Sequence, residues 1–272
     1  MKYFDFNIHL PCGKSELDDR LNDEADMTCQ QFLDCFYKYK DELLGNYFGG
    51  NIMLLNASLS LNDYEVLYSD ITSRWNKSCL TVMVDPRQKN WKEHIRGLSD
   101  IGVIAIKFHC YIQKITAEDI NQCVEIAKNA EALGMMVALD TSYGSLGLYK
   151  YDNLLLASAI ASSVKKAPII LLHSGGARCM EAMLLAEASD NIYLETSFSL
   201  PYYLGSSVEQ DLAYIYKKLG ENKIVYGSDF PYISQEQSKE SFSNFMDKWK
   251  FSATQIEMIS KYNALRLTGL NV

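Results

Sequence analysis

The sequence lacks the features that mark disulfide-rich, zinc-finger and nucleic-acid-binding proteins. Its seven cysteines include no C-x-x-C pair, so we expect reduced thiols rather than a disulfide framework or a zinc module held by cysteine pairs. Basic residues are outnumbered, with 26 Lys and Arg against 34 Asp and Glu and a net charge of −8. A chain without a basic excess is poorly suited to bind nucleic acid or anionic membrane surfaces, and we expect neither partner.

Long apolar runs and linkers are also missing. No uninterrupted apolar stretch reaches the ~18 residues that a membrane-spanning helix needs, and the amino terminus has no basic segment followed by an apolar one. No segment rich in Pro and Ser divides the chain, and 48% of its 272 residues are hydrophobic. We therefore expect one domain over residues 1–272 with a large core, located in the cytoplasm.

What is present begins with a strand of two different faces, KYFDFNIH at 2–9. Successive strand residues point to opposite sides. The apolar face would consist of Phe4, Phe6 and Ile8, and the polar face of Asp5, Asn7 and His9. Burying such a polar row is costly unless partners or a metal satisfy it, so the row indicates one wall of a chemical site. The alternative is an edge strand with one face in water.

Seven further segments have the composition of buried strands: 51–60, 79–87, 102–109, 135–140, 168–176, 191–197 and 223–231. Helical patterns separate most of them, which predicts a single (β/α)8 barrel. Residues 10–50 would be an insertion after the first strand, with an amphipathic helix at about 27–44. An insertion there would lie over the active site of a barrel, as a lid or as packing.

Polar residues end many of these strands. The group comprises Asn7, His9, Lys107, His109, Asp140, His173 and Asp229. In such barrels function lies at the carboxyl ends of the strands, so these side chains are expected to converge there. Arg87, after the third strand, would bind a substrate carboxylate through a bidentate contact or else face solvent.

Several segments together resemble the amidohydrolase superfamily, in particular its metal-dependent barrels related to aminocarboxymuconate-semialdehyde decarboxylase. They are FDFNIH at 4–9, IKFH at 106–109, LLHSGG at 171–176, YGSDFP at 226–231 and NALRL at 263–267. The resemblance implies that His9 is a metal ligand and that His173 is a catalytic or metal-adjacent histidine. It also implies that Asp229 binds metal and handles the proton of water or substrate.

Two positions depart from the pattern of that superfamily, because Asn7 and Asp140 stand where histidines are usual. The implied ligand set is His9, Asp140, Asp229 and Asn7. Its oxygen-rich chemistry favours Mg²⁺ or Mn²⁺ over Zn²⁺. Lys107 loosely resembles a lysine that is carbamylated in some members of the superfamily. Alternatively, its side chain would remain a cation. A metal-free site is the other alternative, with Asp140 and Asp229 paired to His9, His109 or Lys107.

The leading hypothesis is hydrolysis of a small carboxylate-bearing lactone, ester or amide. Asp229 would act as general base on a water held by a divalent metal or by His9. His173 would donate to the oxyanion or leaving group, and Lys107, His109 or Arg87 would anchor the substrate carboxylate. A decarboxylase acting on an unsaturated or aromatic acid and an inactive ligand-binding barrel remain as alternatives. Barrels often pair through their outer helices, so a homo-oligomer is also considered.

Overall fold

The computed structural model describes residues 2–11, 24–142, 147 and 149–271. Eight parallel strands pair in chain order. They are β1 Tyr3–Ile8, β2 Tyr47–Leu54, β3 Ser78–Met83, β4 Ala105–Phe108, β5 Met136–Asp140, β6 Ile169–Leu172, β7 Ile192–Glu195 and β8 Ile224–Val225. Backbone hydrogen bonds join β1 to the chain around β8, including Phe6 N to Tyr226 O at 3.0 Å and His9 N to Phe230 O at 2.7 Å. The predicted (β/α)8 barrel is confirmed.

Helices connect the strands and cover the outside of the barrel. They are α1 Cys29–Asn46, α2 Leu61–Arg74, α3 Trp91–Ile101, α4 Cys110–Gln113, α5 Ile120–Ala132, α6 Asn153–Ser163, α7 Cys179–Ala188, α8 Ser199–Tyr203, α9 Ser207–Leu219, α10 Gln235–Lys248, α11 Ala253–Glu257 and α12 Asn263–Thr268. The helix predicted within the insertion is α1. It begins after a capping box formed by Thr28 and Gln31, and its apolar face is buried. Residues 12–23 of the insertion lie outside the described residues.

The first strand departs from simple alternation. Phe4 and Phe6 pack with small and apolar residues of the other strands, whereas Ile8 belongs to the larger cluster between strands and helices. An irregularity in the pairing of β1 with β2 lies between Asp5 and Ile8. Such a bulge shifts the side-chain alternation. The carboxylate of Asp5 therefore does not share a row with the side chains of Asn7 and His9; it accepts hydrogen bonds from Ser228 and from the backbone N–H of Asn7. The predicted three-residue polar face is thus wrong at Asp5.

Strand boundaries differ most where glycines or unusual backbone angles occur. β2 begins at Tyr47 rather than at residue 51, because Gly49 and Gly50 let β1 and the ring of Trp75 approach closely. β8 is far shorter than predicted. The chain leaves regular strand geometry before Asp229, whose φ is +63°. These departures do not alter the strand order.

The structure bears on the expected state of the cysteines and on membrane-spanning helices. Cys35 on α1 is disulfide-bonded, so the expectation of uniformly reduced thiols is wrong at this position. The other cysteines of the described ranges carry free thiols. Among the helices that the structure describes, none combines the length and the apolar character needed to cross a membrane.

Candidate active site

The seven predicted strand-end residues all lie at the mouth of the barrel, and each is at most 8% exposed. They follow or end β1, β4, β5, β6 and β8. The structure sorts them into two hydrogen-bonded groups and one separate cation. The first group is built around Asp229, the second around Asp140, and the cation is Lys107.

In the first group, His9 lies between two carboxylates. Its Nδ1 is 3.2 Å from Oε2 of Glu24, and its Nε2 is 3.6 Å from Oδ1 of Asp229. Tyr232 donates its hydroxyl to Oε2 of Glu24 at 3.2 Å. The ring of His9 is thus held in one orientation with one nitrogen directed at Asp229.

Asn7 completes the first group and joins it to the second. Its Nδ2 donates to Oδ1 of Asp229 at 3.2 Å and to Oγ of Ser197 at 2.9 Å. The backbone of Asp229 is also fixed, because its N–H donates to the Asn7 carbonyl at 2.9 Å. Both Asn7 and His9 contact the Asp229 carboxylate at Oδ1, and within the described part of the chain Oδ2 accepts no hydrogen bond.

In the second group, Asp140 faces two histidines. Its Oδ2 lies 3.0 Å from Nε2 of His173 and 3.4 Å from Nε2 of His109. Its Oδ1 accepts hydrogen bonds from the N–H and hydroxyl of Ser142, at 3.1 and 2.6 Å. Burial favours the neutral acid, but His109, His173 and Lys107 outweigh it and hold the pKa of Asp140 well below its usual value.

The two histidines beside Asp140 differ in charge. Burial opposes charging of His173, but Asp140 overcomes this and raises the pKa of His173 to about 9. Burial together with the repulsion of Lys107 and the other histidines lowers the pKa of His109 to about 4. At neutral pH His173 is therefore an imidazolium paired with Asp140, while His109 is neutral.

The surroundings of His173 match this charge. Its Nδ1 lies 3.0 Å from Oγ of Ser197, and that hydroxyl lies 2.7 Å from Oε2 of Glu195. If the hydroxyl donates to Glu195, it accepts from Nδ1–H of His173, while Nε2–H donates to Asp140. Both ring N–H groups of the imidazolium then have acceptors. Both ring nitrogens of His173 are therefore occupied by hydrogen bonds to the protein.

Lys107 is buried near both groups, and it forms no ion pair with a described residue. Burial lowers the pKa of its ammonium, and the carboxylates of Asp140 and Asp229 act in the opposite direction. Within the part of the chain that is described, no hydrogen bond or salt bridge to this ammonium is found. A buried cation with free donors is a natural partner for a substrate carboxylate.

Arg87 does not join the site. Its guanidinium donates to the carbonyls of Gln113 and Lys114, at 2.9 and 3.1 Å, and to the carboxylate of Asp119 at 2.7 Å. These contacts fix the connection between α4 and α5. Its donors are thus largely occupied by the protein itself, which does not favour the predicted binding of a substrate carboxylate.

Sequence reasoning missed three site residues: Glu24, Glu195 and Ser197. Alternation along β7 was a usable signal, because Glu195 and Ser197 have the same parity and both turn into the site. No comparable signal existed for Glu24. It lies in the insertion, and only the folded chain brings it to His9.

The family model described as Amidohydrolase matches residues 81–270, more than half of the chain. This protein belongs to the amidohydrolase family. The family contains hydrolases and decarboxylases, so this amidohydrolase is a member of an enzyme family. A comparison with curated proteins found no match.

Solved structures share the fold of this amidohydrolase at low sequence identity. An uncharacterized TIM-barrel protein from Bordetella bronchiseptica has a TM-score of 0.74 at 14% identity, with 99% of each chain covered. A probable 2-pyrone-4,6-dicarboxylic acid hydrolase from Acinetobacter baumannii has 0.67 at 16%, covering 99% of this chain and 100% of that one. A dihydroxybenzoic acid decarboxylase from Polaromonas, with bound manganese, has 0.64 at 13%, covering 100% and 98%.

The predicted metal ligands do not form one centre in this amidohydrolase. Asp140 is paired with His173 in one group, while His9 and Asp229 lie in the other. Asn7 directs its amide nitrogen, which is not a metal ligand, toward Asp229, and its Oδ1 is buried without a partner among the described residues. No cluster of three or more His, Cys, Asp or Glu side chains placed to hold an ion occurs among the described residues. The donor arrangement therefore does not fit a metal site of His9, Asp140, Asp229 and Asn7.

Proposed function

We propose that this amidohydrolase hydrolyses a small carboxylate-bearing lactone, ester or amide without a metal ion, using Asp229 as the general base. One observation carries the proposal. Asp229 has one carboxylate oxygen held by Asn7 and His9, while the other accepts no hydrogen bond from the described residues. A carboxylate fixed on one side and free on the other can bind a water molecule and take its proton.

The charges around Asp229 support this role. Glu24 orients His9, so the imidazole can share the proton that Asp229 receives or help hold the water. Lys107 provides a buried ammonium for the substrate carboxylate, and its donors have no partner among the residues that the structure describes. His109, which is neutral and has an Nδ1 without a partner in the described structure, offers a further hydrogen-bonding atom to the substrate.

His173 has a different role from the direct proton donor that the sequence suggested. Both of its ring nitrogens face protein acceptors, Asp140 and Ser197. In the proposed reaction its positive charge stabilises the developing oxyanion through the electric field of the site. Lys107 acts with it, since the two cations lie in the same buried mouth.

The test is turnover of a panel of carboxylate-bearing lactones, esters and amides, followed by acid release, with CO₂ release from unsaturated and aromatic acids measured in parallel. We expect acid release from at least one lactone or ester and a loss of about 10²–10⁴-fold in kcat for Asp229→Asn. The matched control Asp100→Asn, on the exposed face of α3, should keep full activity.

Three results would contradict the proposal. Near-normal turnover by a folded Asp229→Asn would remove this carboxylate from the mechanism. Release of CO₂ without acid release from any lactone, ester or amide would instead identify a decarboxylase, which uses the same cations to polarise a carbonyl. Ligand binding with no turnover of any kind would favour a barrel that only binds.

A further inference from the structure

A cavity opens beside the catalytic mouth, on the side of β2, β3 and β4. Its volume is about 490 Å³, within the range of small-molecule sites. It is lined by segments that follow the carboxyl ends of these strands, including Ala57, Met83 and Ile112. The cavity therefore lies on the face of the barrel where substrates bind.

Three lining residues connect the cavity to the catalytic groups. Met83 ends β3, where its Cα pairs with that of Lys107 on β4. Gln113 accepts the backbone N–H of His109 at 2.8 Å through its side-chain oxygen. Ala25 directly follows Glu24, which holds His9. A substrate bound by Lys107 could thus extend past Met83 into the cavity without leaving the site.

The charges of the cavity do not favour an anion. Among the described residues that line it, Arg87 is the one cation; Asp119 neutralises it at 2.7 Å, and it lies 3.8 Å from Asp85. Asp85, which also lines the cavity, adds a half-exposed carboxylate. A second substrate carboxylate would meet this negative charge, and the described lining residues offer no free cation to offset it. Ala57, Leu59, Met83 and Ile112 provide apolar surface instead.

We propose that this cavity binds an uncharged aryl or alkyl portion of the substrate, so that the enzyme acts on monocarboxylates with a neutral substituent rather than on dicarboxylates. The inference rests on the proposed function in one respect, because Lys107 is taken as the anchor of the single carboxylate. Met83 and Ala57 are then residues that determine specificity.

The experiment measures equilibrium binding of propionate, 3-phenylpropionate and adipate to the intact protein by calorimetry. We expect 3-phenylpropionate to bind at least about tenfold tighter than propionate, as burial of a phenyl ring predicts, and adipate to gain no such advantage. Ala57→Phe, at a partly exposed position, and Met83→Trp should each remove the advantage of the phenyl group while leaving propionate affinity unchanged. Ala188→Phe, at the exposed end of α7, is the matched control and should behave as wild type.

Three results would each overturn the proposal. The first is equal or absent binding of propionate and 3-phenylpropionate, and the second is a phenyl advantage that survives in both cavity variants. The third is tighter binding of adipate than of 3-phenylpropionate. Lys107→Met separates this inference from the proposed function. If it leaves the affinities unchanged while the phenyl advantage remains sensitive to Ala57→Phe, the cavity assignment stands and the role of Lys107 as anchor fails.

Discussion

At the scale of single residues, the polar interior of the barrel mouth depends on His173 keeping its positive charge. Its two ring nitrogens face Asp140 and Ser197, and the Ser197 hydroxyl lies beside Glu195. Both ring N–H groups of His173 have acceptors only when the ring is protonated and Asp140 and Glu195 are ionised. The pairing therefore couples the charge of His173 to the stability of the fold.

This coupling predicts how stability changes with pH. The pKa of His173 is raised to about 9, so its contribution is complete below its unfolded pKa of about 6.5 and is lost as pH rises through 9. Asp140, whose pKa is lowered, stays ionised throughout that window. We expect the wild type to be more stable than His173→Gln in urea unfolding. This difference in unfolding free energy should be about 2 kcal/mol larger at pH 6 than at pH 9.5. An unchanged difference between the two proteins at both pH values would contradict a charged His173.

The sequence could identify the residues at strand ends, because polar side chains following apolar strands are visible in the chain itself. It could not identify how they pair. Asn7 contacts Ser197 across 190 positions, and His9 contacts Glu24 from within the insertion. Such pairings depend on how the barrel closes, which local patterns do not encode. Arg87 was expected to bind a substrate carboxylate, but the fold of the chain that follows it pairs its guanidinium with Asp119 instead.

At the scale of single elements, a glycine that follows β8 leaves room for the side chain of Glu195, which ends β7. A methyl group at Gly227 would overlap Oε1 of Glu195 and lie 3.0 Å from Cβ of Asn7. That oxygen already accepts the N–H of Ser197 at 2.6 Å. The buried Glu195 thus needs the space that Gly227 leaves, and the positions of Asn7 and Ser197 depend on it.

Gly227→Ala should therefore destabilise the protein by about 1–3 kcal/mol through overpacking and lower its activity. Gly45→Ala is the matched control, because a methyl group there meets nothing within 4 Å and lies within α1. It should leave stability unchanged or raise it by up to about 1 kcal/mol. Denaturant unfolding of both variants is the measurement, and equal stabilities would argue against the close packing of Glu195 under β8.

At the scale of the whole molecule, the alternation of strands and helices was enough to predict the barrel, and it led us to expect the polar strand-end residues at its mouth. Closure of the barrel brings β1 against the chain around β8, so that Asn7, His9 and Asp229 meet. The same closure leaves Asp140 with His173 in a separate group. Sequence similarity suggested one metal centre, whereas the folded chain arranges the same residues as two carboxylate–imidazole groups joined through Ser197.

The most direct test of this account is the metal dependence of turnover. Protein purified without chelator would be analysed for metal, and hydrolysis of the best lactone or ester would be measured before and after dialysis against a chelator. The account predicts far less than one equivalent of metal and an unchanged kcat. The account would be contradicted by about one equivalent of Mn, Mg or Zn in the wild type and none in His9→Ala, together with turnover that is lost when the metal is removed and restored by the same ion.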